Sequence, residues 1–161
     1  MIIEAALPEN IPELIDIQME CALSPWTSEG YHLEMRRPDA IVLAALDTGG
    51  DIIGFIVGRA PRPIKEDPAA TEAEIYNLGT RGAFRRQGVG SSLLRRFIKE
   101  CNKRKINRIW LDVRAGNHSA ISFYRSHGFV PVSTRRGFYS SPYEDATIMT
   151  LQLEDHDSTS A

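Results

Sequence analysis

Arg85-Arg86-Gln87-Gly88-Val89-Gly90 decides how this chain is read. A strand-like run, Ala73 to Thr80, precedes it. After it, Val89, Leu93, Leu94, Phe97, Ile98 and Cys101 recur at helical spacing, with Arg95, Arg96, Lys99, Glu100 and Lys103 on the opposite side. The two glycines therefore open a helix, expected from about Arg86 to Lys103. Without a Cβ in the way, their backbone N–H groups can close on a phosphate, and the helix dipole favours its negative charge. Arg85 and Arg86 add charge-assisted donors. A strand, a glycine turn and a helix joined in this way predict a pyrophosphate site in an α/β layer.

Three glycine-rich turns compete for this pattern. A Walker loop needs Lys and then Ser or Thr after its last glycine, whereas Ser91-Ser92 follow Gly90 directly. A Rossmann turn needs a third glycine, where Leu93 stands, and a very short passage from strand to glycine, where Arg81 to Arg85 intervene. Asp112 does follow at the distance of a ribose-binding acid, which keeps a dinucleotide open as the weaker alternative. The third pattern is Arg/Gln-x-x-Gly-x-Gly/Ala, that of the GNAT acetyltransferases, which grip the pyrophosphate of coenzyme A. Arg85-x-x-Gly88-x-Gly90 resembles it at every position.

At 161 residues the chain suits one domain with a full core. Its 25% charged and 42% hydrophobic residues describe an ordinary globule, and a net charge of −2 argues against a protein that coats nucleic acid. Cys21 and Cys101 have neither metal nor redox spacing, and His32, His118, His127 and His156 have no ligand spacing, so no metal is expected. No apolar run approaches the ~20 residues of a membrane span and no signal layout opens the chain. A cytoplasmic protein, with no membrane or direct nucleic-acid role and acting as a monomer or weak homodimer, is expected.

The remaining elements follow from local signals. Met1 to Ala6 reads as a strand, and Asn10-Ile11-Pro12-Glu13 as a capping box that opens a helix with Ile11, Leu14, Ile15, Gln18, Met19 and Ala22 on one face. The loop Leu23-Ser24-Pro25-Trp26 leads to a short helix capped by Thr27 or Ser28 and stopped by Pro38. Ile41–Leu46 and Ile52–Val57 form a hairpin across Asp47-Thr48-Gly49-Gly50, and Pro61 to Thr71 is a loop. Further strands are expected at Glu74–Thr80, Ile106–Val113, Phe129–Ser133 and Ala146–Leu153. Asn117 caps a helix that Gly128 ends. The order β-α-α-β-β-β-α-β-α-β-β predicts an α/β or α+β layered domain with helices over a mixed sheet. Residues 1–153 would be that single domain and 154–161 an acidic flexible tail.

With these elements in place, the chain resembles the GNAT superfamily over nearly its whole length, and within it the RimI-type ribosomal-protein alanine N-acetyltransferases. The matching strings are Tyr76-Asn77-Leu78, Arg86–Gly90, Trp110-Leu111-Asp112-Val113-Arg114, Asn117, Ser122-Phe123-Tyr124, Gly128-Phe129, Arg135-Arg136 and Asp145-Ala146-Thr147-Ile148-Met149, in the family's order. Leu23-Ser24-Pro25-Trp26 resembles this subfamily's substrate-side loop. The resemblance implies a mixed sheet of about seven strands with about four helices, whose middle strands splay to admit pantetheine. It implies acetyl-CoA as cofactor, with the backbone of Leu78, Gly79 and Thr80 against pantetheine and the thioester carbonyl. Arg85, Arg86, Gln87, Gly88, Val89, Gly90 and Ser91 would hold the pyrophosphate, and Asn117 the cofactor arm.

Acetyl transfer to an amine needs a neutral nitrogen and a proton for the leaving thiolate. A phenol, with an ordinary pKa near about 10, suits the acid, and Tyr124 stands at the matching family position. The family's glutamate base is Asp112 here, one methylene shorter, while Glu74 resembles the base of GNAT histone acetyltransferases. Either carboxylate is open as the base, and Asp112 could instead pair with Arg114. Trp26, Arg135 and Tyr139 are expected on the acceptor side. The run Arg135-Arg136-Gly137-Phe138-Tyr139 is placed between the last two strands, where the family's peptide-binding hairpin lies; Phe138 replaces its first tyrosine and Gly137 its asparagine. Lys103-Arg104-Lys105 with Arg108 reads as a solvated helix end, or else as a contact for the cofactor's 3′-phosphate or for RNA. The implied activity is acetylation of a protein or peptide N-terminus, such as that of a ribosomal protein. A small-amine acetyltransferase and a non-catalytic acyl-CoA sensor are the alternatives.

Overall fold

The computed structural model describes residues 1–61 and 71–153. Its strands are β1 (Ile2–Ala5), β2 (Ala40–Leu46), β3 (Ile52–Arg59), β4 (Glu72–Thr80), β5 (Arg108–Arg114), β6 (Val130–Ser140) and β7 (Tyr143–Gln152). Its helices are α1 (Ile11–Glu20), α2 (Ser28–Met35), α3 (Val89–Lys103) and α4 (His118–Ser126). The strands form one sheet in the order β1-β2-β3-β4-β5-β7-β6, with β4 and β5 parallel and all other neighbours antiparallel.

Helices cover both faces, which is why β2 and β3 read as continuous apolar runs rather than alternating ones. Ile41, Leu43 and Ala45 pack with Leu93, Leu94 and Phe97 of α3. Val42 and Ala44, between them, pack with Ile11, Leu14 and Ile17 of α1 and with Tyr31 of α2.

Two irregularities shape the middle of the sheet. β4 and β5 pair only over Glu72–Ile75 and Arg108–Leu111, so Tyr76 to Thr80 diverge from Asp112 to Arg114 and open the expected splay. In addition, β4 carries one extra residue against β3: Val57 faces Asn77 while Gly58 faces Ile75. The bulge at Tyr76 breaks the period-two alternation. Tyr76 and Asn77 consequently both serve the α1/α2 side, where Tyr76 packs on that core and Asn77 Nδ2 donates to Ser24 O at 3.1 Å.

Several sequence expectations need correction. Asn10 does not cap α1; its Oδ1 accepts from Leu7 N at 2.8 Å and closes a 3-10 turn over Pro8–Asn10. The α3 helix begins at Val89, not Arg86, because Arg86 and Gly88 have φ of +61° and +81° and cannot be helical. β5 starts at Arg108. The last two strands are much longer than expected, and Arg135 to Tyr139 lie inside β6 rather than between strands. The polar Arg135-Arg136-Gly137 run hid this because β6 is a largely exposed edge strand there, and because it bulges: Arg135 faces Ala146 and Tyr139 faces Glu144. Asp145 Oδ1 accepts from Gly137 N at 2.8 Å and holds the bulge. The loop expected over Pro61–Thr71 falls, at residues 62–70, outside the described residues, as does the tail expected at 154–161.

Candidate active site

The glycine turn and the splay are two ends of one cleft. A groove of about 530 Å³ is lined by Leu78, Gly79 and Thr80 of β4, by Arg85, Arg86, Gly88, Val89, Gly90 and Ser91, and by Asn117 and Tyr124. The first bond into α3 runs from Ser92 N to Gly88 O at 3.0 Å, leaving the N–H groups of Val89, Gly90 and Ser91 without an intrahelical acceptor. A Cβ built on Gly88 meets no atom within 4 Å, so this glycine is demanded by its φ and by the space in front of the turn, not by packing. On Gly90 a Cβ would stand 3.4 Å from Phe123. Arg86 is exposed, while Arg85 Nε lies 3.4 Å from Thr80 O. Gln87 turns back to Ala83 O (3.2 Å) and does not line the groove. The donor set of N–H groups and guanidinium fits a pyrophosphate.

Along β4, Arg81 N donates to Ile53 O at 2.9 Å. Alternation in an antiparallel ladder then commits Gly79 to β3 as well, and turns the backbone groups of Leu78 and Thr80 into the gap. Of the three residues expected to offer backbone donors, Gly79 thus contributes surface only. Asn117 uses Oδ1 to cap α4, accepting from Ala120 N at 3.1 Å, so its amide nitrogen remains for a ligand.

Beyond the groove, a second cluster is made of side chains. Glu74 stands opposite Trp110, and Asp112 lies two residues further on the same face of β5. Burial pushes both carboxyls above the usual carboxylate range; for Glu74 a Tyr76 hydrogen bond opposes this and Asp112 adds to it, while for Asp112 the Arg135 guanidinium opposes it. Arg135 reaches from β6 to within 3.8 Å of Asp112 Oδ1 and sits 5.7 Å from the Trp110 ring centre. The alternative Asp112–Arg114 pair does not form: Arg114 binds Glu144 at 3.3 Å and lies 4.2 Å from the centre of the Tyr139 ring. Trp26 closes the site from the α1–α2 loop, 5.6 Å from the ring of Tyr76 and 5.3 Å from that of Tyr31.

Tyr124 of α4 stands where the two ends meet. Its ring is buried against Phe123 and Phe129, and burial first, then Tyr139, hold its phenol well above the ordinary range. Burial and then Asp112 push the Tyr139 phenol up as well.

This geometry agrees with the family comparison: residues 11–129 match the model of the acetyltransferase (GNAT) family. The chain belongs to the GNAT family. It is therefore an acetyl-CoA-dependent N-acetyltransferase. It is 40% identical over 146 residues to the ribosomal protein bS18-alanine N-acetyltransferase of Escherichia coli K12, covering 89% of this chain and 92% of that protein. The crystal structure of the ribosomal-protein-S18-alanine N-acetyltransferase from Escherichia coli superposes with a TM-score of 0.82 and 25% identity, covering 99% of this chain and 98% of that one. The fold is shared at the same TM-score of 0.82 by Arabidopsis thaliana NAA60 in complex with acetyl-CoA, which is 20% identical and covers 94% of this chain and 98% of that one.

Some residues that support the candidate site were not singled out from sequence. Buried Gln18 clamps the Trp26 loop from both sides: Nε2 donates to Trp26 O at 3.0 Å and Oε1 accepts from Trp26 N at 3.1 Å. Its signal was a polar residue on the apolar stripe of α1. Glu34, 3% exposed, accepts from Arg59 Nη2 and Nε at 2.7 and 2.8 Å, and Arg59 lies over the Tyr76 ring. No local pattern joins residues 25 positions apart. The basic run ends α3, about 22 Å along its axis from the glycine turn. Arg104 there binds the carbonyls of Asp39 and Ala60, which makes Arg104 a structural tie. Among the described residues, no three His, Cys, Asp or Glu side chains group as a metal site would need, and no helix is long and apolar enough to cross a membrane.

Proposed function

We propose that this enzyme acetylates the α-amino group at a protein N-terminus, that of a small-subunit ribosomal protein in particular. The observation that carries this is a groove lined by a glycine turn fit for an anion and by Tyr124, with Tyr139 linking Tyr124 to the carboxyl of Asp112 beyond it. The 40% identity to a ribosomal protein bS18-alanine N-acetyltransferase supports the acceptor.

Acetyl-CoA supplies an activated acyl thioester. Val89 to Ser91 and Arg86 hold the pyrophosphate end in place, and Leu78 and Thr80 present backbone groups beside the reacting carbonyl, where a developing negative charge gains most from fixed donors. Trp26, Arg135 and Tyr139 frame the entry of the acceptor, and a carboxylate on β4 or β5 takes its proton. Tyr124 keeps its own proton at neutral pH and is placed to give it to the thiolate that leaves as the C–S bond of the thioester breaks. The acceptor class fits a carboxylate base. An α-amine has an ordinary pKa of about 7.7–8.0 and a lysine about 10.4, so freeing a lysine nitrogen at pH 7 costs about 3.5 kcal/mol more. Action in the cytoplasm, as a monomer or weak homodimer, belongs to the same proposal.

The test is mass spectrometry after incubation with acetyl-CoA and three acceptors: an alanine-starting peptide, the same peptide N-terminally blocked but carrying a lysine, and a polyamine. Acetylation of the free N-terminus alone is expected. Acetylation confined to lysine or polyamine overturns the proposal, and tight donor binding with no acetylated product favours a sensor.

A further inference from the structure

Among the described residues, three arginines approach the acceptor floor, and two are already engaged. Arg59 is held by Glu34, and Arg114 by Glu144 and the carbonyls of Ser141 and Pro142. Arg135 is the cation left for Glu74 and Asp112. It reaches Asp112 at 3.8 Å, beyond hydrogen-bond length, from a side chain 46% exposed. Asp112 Oδ1 is itself buried without a hydrogen-bond partner, a costly state for a carboxylate oxygen unless a donor arrives. Glu74 faces the same space from β4, placed by its register against Trp110 and by its hydrogen bond with Tyr76. Two carboxylates, one loose cation and an open acceptor atom form a receptor for an ammonium.

We propose that Glu74 and Asp112 work as one divided base, in which both receive the acceptor's ammonium and Glu74 supplies from β4 the reach that an aspartate on β5 lacks. An N–H bond of the ammonium breaks, an O–H bond forms on the pair, and the nitrogen keeps the electron pair with which it attacks. Burial of both carboxyls, and for Glu74 the charge of Asp112 as well, makes the pair a better proton acceptor than a solvated carboxylate. The charged and titratable groups that face it are Arg59 on β3, Tyr76 on β4, Arg114 on β5, Arg135 and Tyr139 on β6, and Glu34 on α2. The proposal rests on the amine-acceptor function above.

The experiment measures kcat/KM for the alanine-starting peptide against pH in Glu74→Gln, Asp112→Asn and Glu74→Gln/Asp112→Glu. Glu74→Gln is expected to lose on the order of 10²-fold, and lengthening Asp112 in that background to recover most of it. Wild-type rates in Glu74→Gln, or no recovery in the double variant, overturn the divided base. A second measurement needs no acceptor: carbon NMR of the carboxyl groups during a pH titration. The Glu74 midpoint is expected to fall in Asp112→Asn, and an unchanged midpoint overturns the pairing. If the wild-type enzyme acetylates no peptide, the proposed acceptor fails, while the titration still judges the pair.

Discussion

The donor and acceptor ends of the proposed site are made of different material. The donor end is mostly backbone: a glycine turn with two positive φ angles, the free N–H groups of one helix start, and a strand edge left open by the splay. The clamp proposed there spans the contiguous residues 85–91. The acceptor end is mostly side chain, collected from Trp26, Glu74, Asp112, Arg135 and Tyr139, and stiffened from below by Gln18, Glu34 and Arg59. A backbone clamp recognises a charge common to all its ligands and tolerates little local change. A floor of side chains can be recut one substitution at a time. The contrast suits a donor shared across a family and an acceptor that differs among its members.

Four measurements would break or sharpen this contrast. The largest effect is expected where the ends meet: Tyr124→Phe should lower kcat by on the order of 10²-fold or more, with donor affinity by calorimetry unchanged. Near wild-type kcat would remove Tyr124 as the acid. Next, Glu34→Ala strands Arg59 beneath the acceptor floor. Breaking a buried pair costs about 3–5 kcal/mol, and with Arg59 34% exposed a loss of roughly 2–3 kcal/mol is expected in chemical denaturation. At the donor end, Arg86→Ala should weaken acetyl-CoA binding by about 1.5–3 kcal/mol, and Gly90→Val should do so by filling the space before the turn. Unchanged affinity in both folded variants would misplace the clamp.

The smallest effect concerns pH. Glu74 and Asp112 are raised in the folded protein, so their neutral forms favour folding below the unfolded carboxylate pKa, and that contribution is lost as pH rises through the folded values. Glu74→Gln and Asp112→Asn should therefore raise Tm at pH 7 and give no gain at acidic pH, where the native carboxyls are already protonated. A gain that persists in acid would point to packing instead.

The same division explains what could be read in advance. Gly88 stands at a positive φ that favours glycine, so spacing alone marked the turn, and helical periodicity marked α3 behind it. Thr27 at the start of α2 and Gly128 after α4 were likewise legible, since Thr27 Oγ1 accepts from Gly30 N at 3.0 Å and Gly128 has φ +93°. Asn10 misled because an Asn can bond backwards as readily as forwards. Arg135 to Tyr139 were misplaced because an exposed edge strand with a bulge lacks the alternation that marks strands. Glu34 with Arg59, and Asp112 with Arg135, are contacts between distant segments, visible only once the sheet order is known.

The extra residue in β4 has a consequence for how such a chain can change. Before Tyr76 the strand shows one phase of its side chains to the acceptor face, and after Asn77 it shows the other. Removing that one residue would restore regular alternation, with Ile75 still opposite Gly58 and Asn77 still opposite Val57, so both flanks would keep their faces and the loss would fall on the Tyr76 ring beside Trp26 and Arg59. Away from the bulge a one-residue change would turn a whole flank of the strand over, so the length of β4 can change at Tyr76 and almost nowhere else.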